Sequence, residues 1–301
     1  AAYRAMILIR GLRSVRAPHR GSAVTIGVFD GVHRGHQAVL AQLCQQARLL
    51  AVEPTVVTFE PLPREYFDVD AAPPRLQSLR DKVAALSAYG VTRVLCLRFD
   101  ASLADLDARA FVEKVLVSGL AARSVVIGDD FRFGRDRGGD FALLKLLGRE
   151  HGFGTTAAPT ASDGERISST RIRAALAAGR PEEAAELIGR PYSVSGRVRR
   201  GDALGRRLGF PTANLVPSHD LALAHGVYAV DVRRADGKRH RGAAHWGTRG
   251  RLEVHLLDFD ADLYGERLVI GIRRFIRPDA KFDTLDALQA QIARDVQEIN
   301  G

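Results

Sequence analysis

The sequence predicts an α/β Rossmann-like domain followed by a small antiparallel β-barrel with a C-terminal helix. Up to about residue 189, short β-rich apolar runs alternate with helical stretches. From Tyr192 onward, short runs that alternate apolar and polar residues are separated by glycine. The length of 301 residues suits two domains, since a domain has about 150 residues. We place the boundary near Gly189 to Pro191, which gives domains 1–189 and 190–301.

The first domain has strand and helix candidates in alternation. The strand candidates are rich in β-branched and apolar residues: Val24–Phe29, Thr55–Phe59, Arg93–Phe99 and Ser124–Gly128. The helix candidates have apolar residues at helical spacing: Gly35–Ala51, Leu79–Tyr89, Ala108–Gly119, Phe141–His151, Ser169–Ala178 and Pro181–Ile188. Such a rhythm predicts a parallel sheet with crossover helices.

The second domain has short strands and one helix. Its strand candidates alternate apolar and polar residues: Tyr192–Val198, Gly226–Arg233, Leu252–Phe259 and Arg267–Phe275. This pattern predicts an antiparallel sheet or small barrel. An amphipathic stretch at Leu285–Ile299 predicts the helix that closes it.

The charge balance favours an anionic partner. The chain has 44 Lys and Arg against 35 Asp and Glu, a net charge of +9, which suits nucleic acid, acidic lipid or nucleotide phosphate. No run approaches the roughly 18 apolar residues that a membrane helix needs, so we expect no membrane partner. Two cysteines, Cys44 and Cys96, cannot build a disulfide framework. We therefore expect a cytoplasmic protein.

The first chemical motif follows the first strand, where residues 25–37 read TIGVFDGVHRGHQ. Glycine turns let the backbone approach a phosphate, and the N–H groups at a helix start attract anions. His33 and His36 at that start place two ring donors against a polyphosphate, where they would stabilise charge as pyrophosphate leaves. The turn residues expected at the nucleotide are Gly27, Phe29 and Asp30.

Two other interpretations of this histidine pair stay open. The pair can be ordinary surface residues of a helix, which is the usual meaning of an isolated HxxH. A zinc site is the weaker alternative, because no third ligand cluster lies at the usual spacing. The coincidence of strand end, Gly-containing turn and helix start favours the phosphate site.

A second motif, residues 167–173, reads ISSTRIR before an Ala-rich helix. Ser168 or Ser169 can be the N-cap, which alone would explain the serines. Capping does not explain Arg171 and Arg173, which lie at the positive end of the helix dipole. We therefore expect an anion there, held jointly with the histidine turn as a two-sided cradle for a triphosphate.

A third motif, residues 126–134, reads VIGDDFRFG after a strand that should lie inside the sheet. Open α/β sheets bind ligands at the carboxyl ends of their strands. Phe131 and Phe133 can form a local hydrophobic staple only, or they can contact a flat aromatic ligand. Asp130 belongs to the same loop.

Together the three motifs resemble the adenylyltransferase module of prokaryotic bifunctional FAD synthetases. The resemblance implies a nucleotidyltransferase that joins FMN to AMP from ATP, giving FAD and pyrophosphate. It places His33 and His36 at the reacting phosphate, with Ser169 and Arg171 on the outgoing phosphates. The other residues that it places at the ligands are Asp130, Phe131, Phe133, Ser168 and Thr170.

The second domain carries a glycine-rich segment, in which residues 204–215 read LGRRLGFPTANL. Thr212 and Asn214 are two residues apart, so both side chains share one face of an extended segment. Their oxygens suit Mg²⁺, with waters and phosphates as the other ligands. A Gly-rich hairpin without ligand function stays the alternative.

This segment closely resembles the riboflavin kinase signature, and GVYAV at 226–230, LEVH at 252–255 and DLYG at 262–265 also match. The resemblance implies phosphorylation of riboflavin by ATP, with Glu253 as the general base for the ribityl hydroxyl. Glu253 can also be a solvent-facing strand residue. The ligand contacts that the resemblance implies are Gly201, Leu204, Gly205, Gly209, Phe210, Pro211 and Arg277.

Three positions depart from the family pattern. Leu62 occupies a position that is usually histidine or polar, and His225 replaces a commoner proline. The family carries a longer loop before Glu253 than Gly247–Leu252 provides. Either that loop is truncated or residues are missing from the sequence, and we favour missing residues because a ligand-gating loop is mobile.

We expect riboflavin, FMN and ATP as small-molecule partners, Mg²⁺ as cofactor, no nucleic acid, and a monomer or weak homo-oligomer. One rival is a nucleotidyltransferase for another small phosphorylated acceptor, with an inactive second domain. A rival of another class is a nucleic-acid-binding protein, but the barrel candidates lack a run of stacking aromatic residues.

Overall fold

The computed structural model describes residues 6–15, 21–128, 130–159, 161–201 and 204–300. The chain forms two compact units. The first comprises Ala1–Pro73 with Lys82–Ile167, and the second Pro74–Asp81 with Ser168–Gly301. No helix within the described ranges is long and apolar enough to cross a membrane.

The first unit contains a six-stranded sheet in which every neighbouring pair is parallel, with strand order β1-β4-β3-β2-β5-β6. Its strands are β1 (Ile7–Arg10), β2 (Ser22–Ile26), β3 (Glu53–Glu60), β4 (Arg93–Arg98), β5 (Ala122–Gly128) and β6 (Gly154–Ala158). All-parallel sheets are covered on both faces. Ala23 and Val24 accordingly belong to two different clusters of buried apolar side chains, because neighbouring residues of a strand face opposite ways.

Helices connect these strands, as the alternating pattern predicts. They are α1 (Arg34–Leu49), α2 (Pro63–Phe67), α3 (Leu79–Ala88), α4 (Ala101–Ala104), α5 (Ala108–Phe111) and α6 (Phe141–His151). The predicted helix at Ala108–Gly119 is α5 continued by a π-helix at Val112–Gly119. Val112, Val115 and Leu116 on the π-helix are buried in the core.

The second unit is a closed six-stranded barrel with strand order β10-β11-β8-β7-β12-β9, and all of its strand pairs are antiparallel. Its elements are α7 (Ser169–Ala177), α8 (Pro181–Ile188), β7 (Tyr192–Arg199), α9 (Leu204–Arg207), β8 (Ala213–Leu215), β9 (Gly226–Arg233), β10 (Arg239–Trp246), β11 (Leu252–Leu256), β12 (Arg267–Pro278) and α10 (Leu285–Asn300). The predicted fold class is confirmed: a parallel α/β part, then a small antiparallel barrel and a C-terminal helix.

The barrel interior is built by period-two alternation. On β11, Leu252, Val254 and Leu256 are buried, and Glu253 and His255 between them point to the outer face. The same alternation on β7 buries Val198 and exposes Arg199. The outer face of the barrel wall therefore carries polar side chains.

Four strands are absent from the sequence-based prediction: β1, β6, β8 and β10. The predicted domain boundary near Gly189 to Pro191 stays a prediction. The compact units divide near residue 168, so that α7 and α8 belong with the barrel unit.

Candidate functional site

The imidazole rings of His33 and His36 lie together at the N-terminus of α1. His33 is the N-cap residue, and its Nδ1 accepts a hydrogen bond from the backbone N–H of His36 at 3.4 Å. The two rings stack with centroids 3.7 Å apart. The ring of Phe29 lies 5.0 Å from that of His36. The structure thus brings both predicted imidazoles to the helix start, where an anion is favoured.

The turn before α1 has a strained backbone. Phe29 and Val32 have positive φ values of 50° and 41°, in a region that side chains other than glycine rarely adopt. Val32 is β-branched, for which such a φ is a genuine outlier. Strain of this kind, about 1 to 3 kcal/mol per residue, concentrates at functional sites. Asp30, a predicted ligand contact, is buried between these residues with 2% exposure.

Gly27 is the first glycine of the turn that is predicted to approach the phosphate. Its N–H donates to the carbonyl oxygen of Val57 at 3.0 Å. A Cβ at Gly27 would lie 3.0 Å from the ring of Phe29. The absence of a side chain therefore allows Phe29 to pack against the turn and to support the His36 ring.

The environment of His36 keeps its ring neutral. Burial is the main effect that lowers the pKa of His36 well below its usual value, and electrostatic interactions with His33, Lys82 and Arg166 lower it further. Its Nδ1 is buried and has no hydrogen-bond partner among the described residues. A buried polar atom without a partner is costly. This end of the first unit therefore combines unsatisfied polarity with nearby cations, which is what a bound anion would relieve.

Asp130 makes an ion pair with Arg166. The Oδ2 of Asp130 and a guanidinium nitrogen of Arg166 are 2.5 Å apart. This hydrogen bond is the main reason that the pKa of Asp130 lies below its usual value. More than half of each side chain is exposed. The structure thus places this predicted ligand residue in a surface pair that fixes the loop after β5, and its contact with a nucleotide stays a prediction.

Phe131 and Phe133 differ in burial. Their rings are nearly parallel with centroids 5.8 Å apart. Phe133 is 7% exposed and belongs to the core, where its ring lies 6.0 Å from that of Phe111. Phe131 is only partly buried against that core. The packing role accounts for Phe133, whereas Phe131 retains a face that a ligand can reach.

Ser168 is the N-cap of α7, in the second unit. Its Oγ accepts a hydrogen bond from the backbone N–H of Arg171 at 3.3 Å. The Nε of Arg173 donates to the carbonyl oxygen of Pro74 at 2.7 Å. Capping therefore explains the presence of Ser168, and the guanidinium of Arg173 is engaged by a backbone carbonyl. Ser169 and Thr170 form the first turn of α7, and the phosphate roles of Ser169, Thr170 and Arg171 stay predictions.

A row of polar residues crosses the outer wall of the barrel. Asn214 on β8 is directly opposite Glu253 on β11, and Glu253 is in turn directly opposite His245 on β10. Arg199 on β7 is opposite Asn214 on its other side. Residues directly opposite in antiparallel strands have Cβ atoms about 5 Å apart. We name these four residues, Arg199, Asn214, Glu253 and His245, the wall row.

The carboxylate of Glu253 makes no hydrogen bond or ion pair with the described residues. It is half-buried, and its two strand neighbours in the wall row are an amide and an imidazole. A carboxylate that is not engaged by other groups can accept a proton from a hydroxyl group within hydrogen-bond reach. The geometry is therefore that of a candidate general base.

The predicted glycine-rich segment folds closely around Thr212 and Asn214. A Cβ at Gly201 would collide with the side-chain amide of Asn214, and a Cβ at Gly205 would collide with the carbonyl oxygen of Phe210. Gly205 in turn accepts the N–H of Phe210 at 2.8 Å. The close approach explains the glycines physically. Of the remaining predicted contacts here, Gly209 has a φ of 86°, Pro211 accepts a hydrogen bond from His255 Nδ1, and Leu204 begins α9 with a side chain outside the described residues.

The residues present fit a magnesium ion. The Nδ2 of Asn214 points to the carbonyl oxygen of Thr212 at 3.5 Å, so its Oδ1 is the amide atom left to coordinate. Gly201 leaves the space in which this amide sits. Together with the Thr212 hydroxyl it offers two neutral oxygen ligands, and Mg²⁺ commonly takes few protein ligands and completes its shell with waters and phosphates.

A cavity of about 550 Å³ adjoins Thr212 at one end of the barrel. Arg206, Phe259 and Tyr264 line it together with Thr212. The volume is within the range of about 300 to 1,000 Å³ that small-molecule sites have. Two carboxylates, Asp260 and Asp262, also line it, so the cavity combines two aromatic rings with charges of both signs.

Arg277 has a structural partner. Its guanidinium makes hydrogen bonds to both carboxylate oxygens of Asp295 on α10, the shortest at 2.8 Å, and one to the carbonyl oxygen of Pro278. Asp295 is 4% exposed. This ion pair fixes the C-terminal helix to β12, and the predicted ligand contact of Arg277 stays a prediction.

The departures from the family pattern have local explanations. Leu62 is buried at 7% exposure, and its backbone N–H donates to Glu65 at 2.9 Å. The ring of His225 lies 6.3 Å from that of Trp246. The turn before Glu253 is short: Trp246 pairs directly with Leu252 across the two strands that it joins. In the given chain the loop is thus the five residues 247–251, and the omission of residues at this point stays a prediction.

Sequence reasoning missed the pair His245 and Asp279. The Nε2 of His245 lies 2.6 Å from Oδ1 of Asp279. No strand was predicted at β10, so the position of His245 opposite Glu253 could not be foreseen. The signal in the sequence was that His245 lies an even number of residues from the other outward-facing residues of RHRGAAHW, as residues on one face of a strand do.

The fold and these two groups of residues define a class of protein: a nucleotide-handling α/β unit joined to a barrel with kinase-like groups on its wall. The family model "FAD synthetase" matches residues 15–171, and the family model "Riboflavin kinase" matches residues 188–301. The chain belongs to the family of bifunctional riboflavin kinase/FMN adenylyltransferases. The family suggested by the motifs is thereby confirmed.

Relatives and solved structures agree with this membership. The bifunctional riboflavin kinase/FMN adenylyltransferase of Escherichia coli (strain K12) is 46% identical over 299 residues, covering 96% of each chain. The enzyme of the same name from Pseudomonas fluorescens is 46% identical over 300 residues, covering 97% of this chain and 96% of its own. A crystal structure described as a macrolide-efflux protein from Streptococcus pneumoniae superposes with a TM-score of 0.83 at 30% identity, covering 98% of this chain and 99% of its own.

Proposed function

We propose that this chain makes both flavin cofactors in two steps. The barrel unit transfers the γ-phosphoryl group of ATP to riboflavin, giving FMN and ADP. The α/β unit transfers AMP from a second ATP to FMN, giving FAD and pyrophosphate. The observation that carries the proposal is the wall row, in which Glu253 lies directly opposite Asn214, within a chain that matches both family models.

In the kinase step, Glu253 accepts the proton of the riboflavin hydroxyl. The O–H bond breaks as the oxygen attacks the γ-phosphorus, and the bond from that phosphorus to the bridging oxygen of ADP breaks. Phosphoryl transfer needs positioning and charge stabilisation more than covalent help. Thr212 and Asn214 would hold the Mg²⁺ that neutralises the phosphates when it is bound. Lining residues of the cavity beside Thr212 would contain the nucleotide.

In the adenylyl step, a phosphate oxygen of FMN attacks the α-phosphorus of ATP, and pyrophosphate leaves. His33 uses Nδ1 as an acceptor for the His36 N–H, so its neutral ring carries the proton on Nε2 and is a donor there. His36 is neutral for the reasons of burial and charge given above. Two neutral ring donors and the helix N-terminus can then stabilise the charge that develops on the α-phosphate.

The other predicted ligand contacts of the adenylyl step are assigned to separate parts of its substrates. Gly27, Phe29, Asp30, Asp130 and Phe131 serve the adenylyl site, and Ser169 and Arg171 are assigned to the outgoing pyrophosphate. We further propose that the chain acts in the cytoplasm on small molecules alone, without nucleic acid, and as a monomer or weak homo-oligomer.

One experiment tests the proposal and its rival. The chain is incubated with riboflavin, ATP and Mg²⁺, and the flavins are separated by chromatography. We expect FMN and FAD to form in sequence. FMN without FAD would mean that the α/β unit is inactive toward FMN. If neither flavin forms, but AMP is transferred to another phosphorylated acceptor, the rival nucleotidyltransferase function holds.

A further inference from the structure

The order of the residues along the wall row indicates where the acceptor of the phosphoryl group binds. If Asn214 and Thr212 are on the side of the ATP phosphates, the base Glu253 lies next along the wall, and His245 lies beyond it. The attacking hydroxyl must lie between the base and the phosphorus. The remainder of the acceptor cannot occupy the space of the nucleotide, so it extends past Glu253 toward His245.

His245 is held in place on that side. Its Nε2 lies 2.6 Å from Oδ1 of Asp279, and both side chains are a little under half exposed. A carboxylate on one ring nitrogen fixes the orientation of an imidazole and the role of its other nitrogen. Asp279 is therefore the orienting partner, and Nδ1, which has no partner among the described residues, is the atom presented outward.

Gly247 leaves the space for this pair. A Cβ at Gly247 would lie 2.9 Å from Cε1 of His245 and 3.5 Å from Oδ2 of Asp279. Real Cβ atoms do not approach a ring carbon to 2.9 Å, so any side chain at this position would displace the imidazole. The short turn that begins at Gly247 thus supports one orientation of His245.

We propose that His245, oriented by Asp279, is the acceptor-side binding residue of the kinase site and makes a hydrogen bond to a hydroxyl of the polyol chain of riboflavin. The acceptor class is an aromatic compound with a polyol chain, and the contact is made through Nδ1. The inference rests on the proposed kinase activity and adds the place at which its acceptor binds. Asp279 is a positioning residue, because it acts through His245.

The test compares His245→Ala with the unaltered full chain in the kinase reaction. We expect the KM for riboflavin to rise about tenfold, as the loss of one hydrogen bond of ordinary strength implies, and the KM for ATP to stay within about twofold. Riboflavin binding without ATP, followed by flavin fluorescence, should weaken by the same factor. His245→Asn, which keeps a hydrogen-bonding group, should recover part of the loss.

Two further variants separate orientation from folding. Asp279→Asn removes the carboxylate that orients the imidazole, and Gly247→Ala displaces the ring by the contact of its Cβ. Both leave His245 in the chain, and we expect each to raise the KM for riboflavin by a smaller factor. Arg239→Gln is the matched control, because Arg239 lies on the same strand and the same outer face, six residues away. FAD formation from added FMN should be unchanged in every variant.

The outcomes are distinct. A rise in the KM for ATP alone, or no change in either KM while FMN still forms, overturns the inference. If the unaltered chain forms no FMN, the proposed function fails, and the riboflavin titration decides the inference by itself. Equal weakening by Arg239→Gln would also overturn it, since the effect would then belong to the wall and not to His245.

Discussion

His33 caps the helix on which His36 lies, and the rings of the two residues stack with centroids 3.7 Å apart. His33 thus caps the start of the helix and accepts the backbone N–H of His36, and its ring packs against the ring of His36. The capping bond has Nδ1 of His33 as its acceptor. The first predictions follow from this pair.

Replacing His36 by alanine should depress FAD formation from added FMN by about 100-fold or more, the scale of losing one donor to a developing charge. FMN formation from riboflavin should be unchanged, because Glu253 and the rest of the wall row belong to the barrel unit. Separate chromatographic assays of the two steps measure this. Equal loss of both activities would mean that the two sites are not separate.

The free energy of unfolding of the first unit should decrease as the pH falls below about 6.5. His36 has a pKa well below its usual value in the folded chain, so between the two values the unfolded chain binds more protons, and acid favours unfolding. For one group the loss is at most about 1.4 kcal/mol per pH unit.

Urea unfolding at pH 7.5, 6.5 and 5.5 measures this effect. Circular dichroism follows the helices, and the fluorescence of Trp246, the single tryptophan, reports the barrel unit separately. His36→Gln should flatten the dependence of the helix signal on pH. A slope that is the same in the variant would assign the effect to other groups.

Glu253→Gln should reduce FMN formation by about 100-fold or more, because the amide cannot accept the hydroxyl proton. FAD formation from added FMN should be spared. The amide keeps the shape of the carboxylate, so unfolding by urea should be unchanged. Kinase turnover close to that of the unaltered chain would remove Glu253 from its role.

Gly201→Ala should impair the kinase step by displacing the amide of Asn214, with which the new Cβ would collide. We expect about a tenfold loss of kcat/KM, equivalent to about 1.4 kcal/mol. Gly271→Ala is the matched control in the same barrel, since its nearest neighbour would be 3.7 Å away. Similar losses in both variants would mean that general destabilisation, and not Asn214, is responsible.

Arg277→Ala should destabilise the barrel unit by about 3 kcal/mol, because it leaves the buried carboxylate of Asp295 without its cation. Asp295→Ala should have a comparable effect on urea unfolding followed at Trp246. A role of Arg277 at the ligand would separate the two variants: only Arg277→Ala would then raise a KM.

The sequence was sufficient for the elements with strong periodicity. Phe141–His151 and Gly226–Arg233 were predicted with the bounds that the structure has. The missed strands give a weak signal for physical reasons. On β10 two of the three buried positions are Gly242 and Ala244, so small residues replace the usual large apolar ones at these two positions. On β8 only three residues pair, within a glycine-rich segment.

The candidate sites divide in the same way. Motifs that are continuous in sequence, such as the histidine turn, could be located and given a chemistry. Contacts between distant strands could not: the opposition of Asn214 to Glu253 depends on barrel register, and that of His245 depends on a strand that was not predicted. Ion pairs such as Arg277 with Asp295 are likewise invisible without the fold.

The short turn between β10 and β11 has a consequence for how this half of the chain can change in length. Inserting or deleting one residue inside β11 would exchange Glu253 for Leu252 or Val254 on the outer wall. The same event between Gly247 and Arg251 leaves Trp246 facing Leu252 and every residue beyond in step. Length variation among descendants of this barrel should therefore accumulate at its hairpin ends, while the strands that carry the chemistry keep a fixed count.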